Sequence, residues 1–152
     1  MPENIRAHTR SVTRVADAVA AAIAVQGIAV DTELVNRGAL LHDIAKLRGI
    51  QGGKDVHHTE EGAVIILQEG LASRLADVVG NHGLEKFSFD LPIEDQIVNY
   101  ADRRVVHATI VPLEERLQDL RTRYPDAVQT IAKKRPLYRE FEEWRQLAAL
   151  IP

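Results

Sequence analysis

Cysteine is absent from the 152 residues. That excludes disulfides, iron–sulfur clusters and thiolate zinc sites, so any metal must be held by imidazole nitrogen and carboxylate oxygen. A basic excess is also missing. Nineteen Lys and Arg stand against 22 Asp and Glu, a formal charge of −3, whereas binding nucleic acid through bulk electrostatics needs a positive surface. No apolar stretch approaches the roughly 20 residues that span a bilayer. Met1-Pro2-Glu3-Asn4 shows no charged stub followed by an apolar run, so no signal peptide is visible. Alternating strand patterns, internal repeats and low-complexity tracts are lacking as well. These absences lead to the expectation of a cytoplasmic protein with neither membrane nor nucleic acid as partner.

What is present is helical patterning. Hydrophobic residues make up 45% of the chain, enough for a core, and the length suits a single domain over 1–152. The fold class expected is all-α, a helical bundle. Ile5, Val12, Val15, Val19 and Ile23 mark a first helix from about Ile5 to Val25, ended by Gly27. Asp31 is the expected N-cap of a second, running through Leu34, Val35, Leu40, Leu41 and Ile44 to about Leu47. Gly49 to His57 holds three glycines and reads as a mobile loop. A third helix is expected from about Thr59 to Glu69. Ser73 is the expected cap of a short fourth carrying Leu75, Val78, Val79 and His82, and Gly83 to Pro92 reads as loop, with Phe87 and Phe89 placed to wall a pocket. Ile93 to Val106 reads as helix, Pro112 suits the first turn of another reaching Arg123, and Pro136 is expected to divide two charged C-terminal helices. Phe141, Trp144 and Leu147 lie three apart, as core or partner contacts would.

Six histidines matter more by position than by number. His42-Asp43 follows the apolar run Ala39-Leu40-Leu41, where an unpaired charge is expensive unless a partner or cation meets it. His8, His82 and Asp102 show the same contrast, each a polar residue on an apolar helical face. Adjacent helical residues point about 100° apart, yet an imidazole and a carboxylate of different reach can still converge on one ion.

These residues, in this order, resemble a known family. His8, His42-Asp43 and Asp102 form the H…HD…D signature of HD-domain proteins, and Leu40-Leu41-His42-Asp43-Ile44-Ala45-Lys46 is similar to the family's second helix. His58-Thr59-Glu60-Glu61-Gly62-Ala63 and Gly80-Asn81-His82-Gly83 resemble the subgroup with a second metal, and Tyr100-Ala101-Asp102-Arg103 the closing motif. The likeness covers about residues 5–106, leaving C-terminal helices over 112–150. It implies an HD-fold metal-dependent phosphohydrolase, with His8, His42, Asp43 and Asp102 on one ion, His58 and His82 on a second, and Asp43 bridging. The order also resembles small bacterial enzymes that split dinucleoside polyphosphates, so the expected partner is a small-molecule phosphate, above all a nucleotide; a homodimer is allowed for. The donor set suits two divalent transition-metal ions, drawn from Fe, Mn, Co, Ni or Zn, and suits magnesium or calcium poorly. No Cys, and no Ser in a nucleophile-elbow context, offers a covalent alternative. Asp43 and Lys46 are then the catalytic candidates, with Lys46, Arg103 and Lys54 as candidate phosphate contacts. His57 stays open as a replacement for His58, Glu60 or Glu61 as an acid or base, and His107 reads as structural. Two rival readings are a diiron oxygenase on the same ligands and a non-catalytic, metal-stabilised regulatory module.

Overall fold

The structure, a computed structural model, describes residues 2–46 and 58–147. Within them lie seven α-helices and one two-stranded hairpin. The long α1, Glu3–Val25, buries the stripe Ile5, His8, Val12, Val15, Val19 and Ile23. It packs on α2, Thr32–Leu41, and on α5, Ile93–Asp102. Asp31 caps α2 as expected, its carboxylate accepting from Leu34 N–H at 3.0 Å. Gly27 and Gly70 end their helices at φ +86° and +74°, where a side chain would be strained.

Helix α3, His58–Gln68, lies against α4, Ser73–Gly80, and α4 against α2. Two glycines permit the closeness. A Cβ on Gly38 would stand 2.4 Å from Val78 Cγ1, and one on Gly62 would stand 2.8 Å from Val79 Cγ1. In α5 the run Asp95–Asp102 is buried throughout, which makes it the central helix of the bundle. Helix α6, Leu113–Arg123, follows Pro112, and α7, Val128–Trp144, closes the described chain. Tyr138, Phe141 and Leu147 complete the core beside Phe87 and Tyr100.

Several elements differ from expectation. Helix α2 stops at Leu41, and His42–Ala45 form a turn instead of more helix. Ala72, not Ser73, is the N-cap of α4, and no side chain caps it; the helix ends at Gly80, so His82 lies just beyond. Helix α5 ends at Asp102. Val105–Val106 form strand β1, paired antiparallel with β2, Thr109–Ile110. The cause is visible in the β-branched residues on both strands. Pro136 lies inside α7, which continues through it because Ile131, Tyr138 and Phe141 are anchored in the core on both sides. Phe87 is no pocket wall: it is fully buried and stacks on Tyr138 with ring centroids 4.2 Å apart. Phe89 meets the Trp144 ring at 5.2 Å. Trp144 is 58% exposed, unlike Phe141 and Leu147. The expected loop of residues 49–57, with Lys54 and His57, falls outside the described residues.

Candidate metal centre

Five of the six predicted donors stand at helix ends. His42 and Asp43 follow α2, His58 opens α3, His82 follows α4, and Asp102 is the last residue of α5. Only His8 comes from mid-helix, on the buried stripe of α1. The turn after Leu41 resolves the 100° divergence of neighbouring helical side chains, because His42 and Asp43 leave the helix there and converge.

Nearly all of this cluster is buried. Among the described residues two groups could hold a metal ion, His8–His42–Asp43 and Asp43–His58–His82, each with its donor atoms within 4.8 Å of one another. The two carboxylate oxygens of Asp43 divide the groups. Oδ2 lies 3.3 Å from His42 Nε2 and 3.7 Å from His8 Nε2; Oδ1 lies 3.6 Å from His82 Nε2 and 3.8 Å from His58 Nε2. Asp102 Oδ1 adds itself to the first group, 3.0 Å from His8 Nε2 and 3.7 Å from His42 Nε2. Donors about 2.0–2.2 Å from one ion stand about 3.0–3.5 Å apart, which these spacings approach.

The imidazole tautomers agree with that use. Nδ1 of His8 lies 2.6 Å from the His107 carbonyl, Nδ1 of His42 is 2.6 Å from that of Ala39, and Nδ1 of His82 is 2.6 Å from that of Val79. A carbonyl only accepts, so Nδ1 carries the proton in all three and Nε2 is the lone pair of the neutral ring. These Nε2 atoms face carboxylate oxygens or each other; His58 Nε2 lies 3.2 Å from His82 Nε2. His42 Nε2 is fully buried with no hydrogen-bond partner. Such a group costs about 1–3 kcal/mol if left unmet. A cation among these lone pairs meets it.

Positioning contacts surround the donors. Arg103 Nη2 donates to Asp102 Oδ2 and, at 3.1 Å, to the His82 carbonyl. Arg116 reaches the Asp102 carbonyl with Nε at 3.3 Å and Asp102 Oδ1 with Nη2 at 3.8 Å. Asn99 Nδ2 donates to the carbonyls of Asn81 and Gly83, clamping both neighbours of His82, and its own Oδ1 accepts from the buried Tyr138 hydroxyl. His107, which the sequence marks only as structural, turns the hairpin at φ +54° and aims its carbonyl at His8.

Electrostatics follow from this crowding. Burial opposes the charge on Asp43, but His42, His82 and Lys46 hold its carboxyl well below the usual range. Burial likewise opposes the charge on Asp102, where Arg103, His8, His42 and Arg116 prevail. Burial also works against a charged His42, yet Asp43 and Asp102 raise it to about 9. For His82, burial and the nearby His42 charge lower the pKa.

A cavity of about 570 Å³ opens on the cluster. Lys46 lines it with its ammonium 3.5 Å from Asp43 Oδ2. Arg103 lines it too, but its tie to Asp102 and the His82 carbonyl makes it first a positioning residue. Glu60 is at the rim; the Thr59 hydroxyl and Lys86 hold its pKa at about 2, so it is ionised and is no proton donor at neutral pH. Glu61 is exposed and does not line the cavity. Sequence reasoning missed Arg116, Asn99, Glu85, Arg123 and Tyr124, of which Glu85, Arg116, Arg123 and Tyr124 line the cavity. Arg116 did carry a signal: it is a cation on the buried face of α6, between Leu113 and Leu117.

Comparison with known proteins matches residues 5–105 to the HD domain family model. The chain belongs to the HD domain family. This HD domain is 31% identical over 127 residues to an uncharacterised protein of Methanocaldococcus jannaschii, covering 74% of the present chain and 73% of that one. It is also 31% identical over 141 residues to a tRNA (cytidine(56)-2'-O)-methyltransferase of Thermoplasma volcanium; that match covers 83% of the HD chain and 39% of the methyltransferase. No solved structure matches. No helix among the described residues is long and apolar enough to cross a membrane.

Proposed function

We propose that the chain is a metal-dependent phosphohydrolase holding two divalent transition-metal ions and cleaving a phosphoester or phosphoanhydride of a small molecule, a nucleotide being the substrate we favour. The observation that carries this reading is the set of fixed tautomers: His8, His42 and His82 each give Nδ1–H to a carbonyl and turn Nε2 toward the two oxygens of Asp43. His8, His42, Asp43 and Asp102 would hold one ion, and His58, His82 and Asp43 the other. When bound, such ions supply an activated water and neutralise charge on the phosphoryl oxygens during in-line displacement.

The chain's own groups complete the site. Asp43 keeps the two halves at a fixed spacing through its two oxygens. Lys46, beside it in the cavity, holds the substrate phosphate with its ammonium. Arg103 orients Asp102 and the His82 backbone. A small molecule is preferred to tRNA as substrate. The methyltransferase activity is that of a protein of which this chain spans 39%, and the net charge of −3 disfavours binding a polyanion through bulk electrostatics.

Elemental analysis of metal-saturated protein, with a screen of nucleotides and phosphate esters in air and without it, tests the reading. Two ions per chain and hydrolysis that does not depend on dioxygen are expected. One ion at saturation removes the dinuclear centre; activity that vanishes without dioxygen overturns hydrolysis in favour of oxygenase chemistry.

A further inference from the structure

Along α6 the cavity wall changes character. Arg116 places the first turn of this helix against Asp102. Leu120 and Tyr124 follow at four-residue spacing on the same side, about 6 and 12 Å further along at 1.5 Å per residue. Both line the cavity, and facing them are Ala127, Thr130 and Ile131 from the 3-10 turn Pro125–Ala127 and the start of α7. Ile131 is fully buried and Tyr124 is 46% exposed, so the floor is apolar while an aromatic side chain stands at the mouth. Arg123, also in the wall, is held in place: its Nε donates to Asp119 and its Nη2 lies 3.0 Å from the His107 ring. The cavity's 570 Å³ falls within the roughly 300–1,000 Å³ of sites that enclose whole organic molecules, far more than a phosphate needs. The family match ends at residue 105, so this apolar half is built by chain outside it.

We propose that the Leu120–Tyr124–Ala127–Ile131 wall is a specificity subsite for a flat, ring-bearing group carried by the phosphate compound, with Tyr124 as its stacking face. An aromatic or heteroaromatic ring fits better than an alkyl chain. The apolar path is short, and the Thr130 hydroxyl and the fixed Arg123 guanidinium border it, offering donors to the polar edge of a ring. Tyr124 lies well away from the donor cluster, so it selects the substrate without handling the reacting atoms. The identity of the anionic head group rests on the hydrolase reading; recognition of the ring does not.

Calorimetric titration of the metal-loaded full chain with 6-phenylhexylphosphonate and hexylphosphonate separates the two. These ligands share a charged head that no phosphoesterase can split off and a spacer that lets a ring reach Tyr124 from the donor cluster, and they differ in the ring. Wild-type protein is expected to bind the phenyl compound roughly 5- to 100-fold more tightly. Tyr124→Ala should abolish that preference with hexylphosphonate affinity unchanged, and Tyr124→Phe should keep it. Equal affinities in the wild type, no binding of 6-phenylhexylphosphonate at millimolar concentration, or a preference intact in Tyr124→Ala would each overturn the subsite. If no phosphate ester is turned over but the Tyr124-dependent preference is seen, the hydrolase reading fails and the subsite stands.

Discussion

Asp43 and Lys46 lie three residues apart and line one cavity, yet their removal should read out differently. Asp43 faces four imidazoles, so Asp43→Ala is expected to empty or scramble the centre and abolish turnover. Lys46 also pairs with Asp43 but is proposed as a phosphate contact and not as a metal ligand, so Lys46→Ala should keep the metal content and lower kcat/KM on the order of 10- to 150-fold, the worth of a charge-assisted contact of about 1.5–3 kcal/mol. Metal analysis beside steady-state kinetics checks the pair; wild-type kcat/KM in Lys46→Ala would make it a bystander. At this scale the site was readable because a polar residue on an apolar stripe is a local pattern. His8, His42 and Asp102 all show it, and so does Arg116, which differs only in lacking a recognisable motif around it. Asn99 was not readable. Its role is to hold the Asn81 and Gly83 carbonyls, and such a contact is fixed by the fold rather than by any spacing.

Helices were legible wherever period and stop signal agreed, as in α1 before Gly27. They were misread where tertiary contacts override local preference. Pro136 reads as a break, but the buried side chains on either side keep α7 continuous. Val105 and Val106 fit a helical register, and the turn at His107 with Thr109–Ile110 opposite makes them a strand instead. Inter-helix closeness yields a sharp prediction. Gly38→Ala places a Cβ 2.4 Å from Val78 Cγ1, and a valine in a helix has little rotamer freedom with which to yield. A loss of about 1–3 kcal/mol is expected by urea unfolding. The double variant Gly38→Ala/Val78→Ala should lose less than the sum of the two single changes. Strict additivity would show that the two helices do not meet as described. In the hairpin, His107→Gly should leave stability unchanged or raise it, since φ +54° suits glycine, whereas the β-branched His107→Ile should lower it by about 1 kcal/mol or more. Equal melting temperatures for the two variants would contradict that backbone geometry.

For the whole molecule, protons and metal compete for the same lone pairs. His42 has its pKa raised to about 9 in the folded, metal-free protein, chiefly against burial and through Asp43. A raised value means that protonation favours the fold. Its contribution is complete below the ordinary histidine value of about 6.5 and is lost as pH rises through about 9. Metal requires the neutral ring and so gains as pH rises. The difference in Tm between metal-loaded and metal-free protein should therefore widen from pH 6.5 to 9. A difference that stays constant or shrinks across that interval, measured by differential scanning fluorimetry, would count against imidazole coordination.

His8 and Asp102 meet across 94 residues of sequence. An ion shared by them, as proposed, would tie the first helix to the fifth and so work as a removable cross-link in a chain that has no cysteine to form a permanent one. Because the unfolded chain does not hold such an ion in place, its contribution to stability would be the free energy of binding to the folded site. Chelation is therefore a topological cut. Its expected effect is faster hydrogen exchange in Glu3–Val25 and around the hairpin than in the metal-loaded protein.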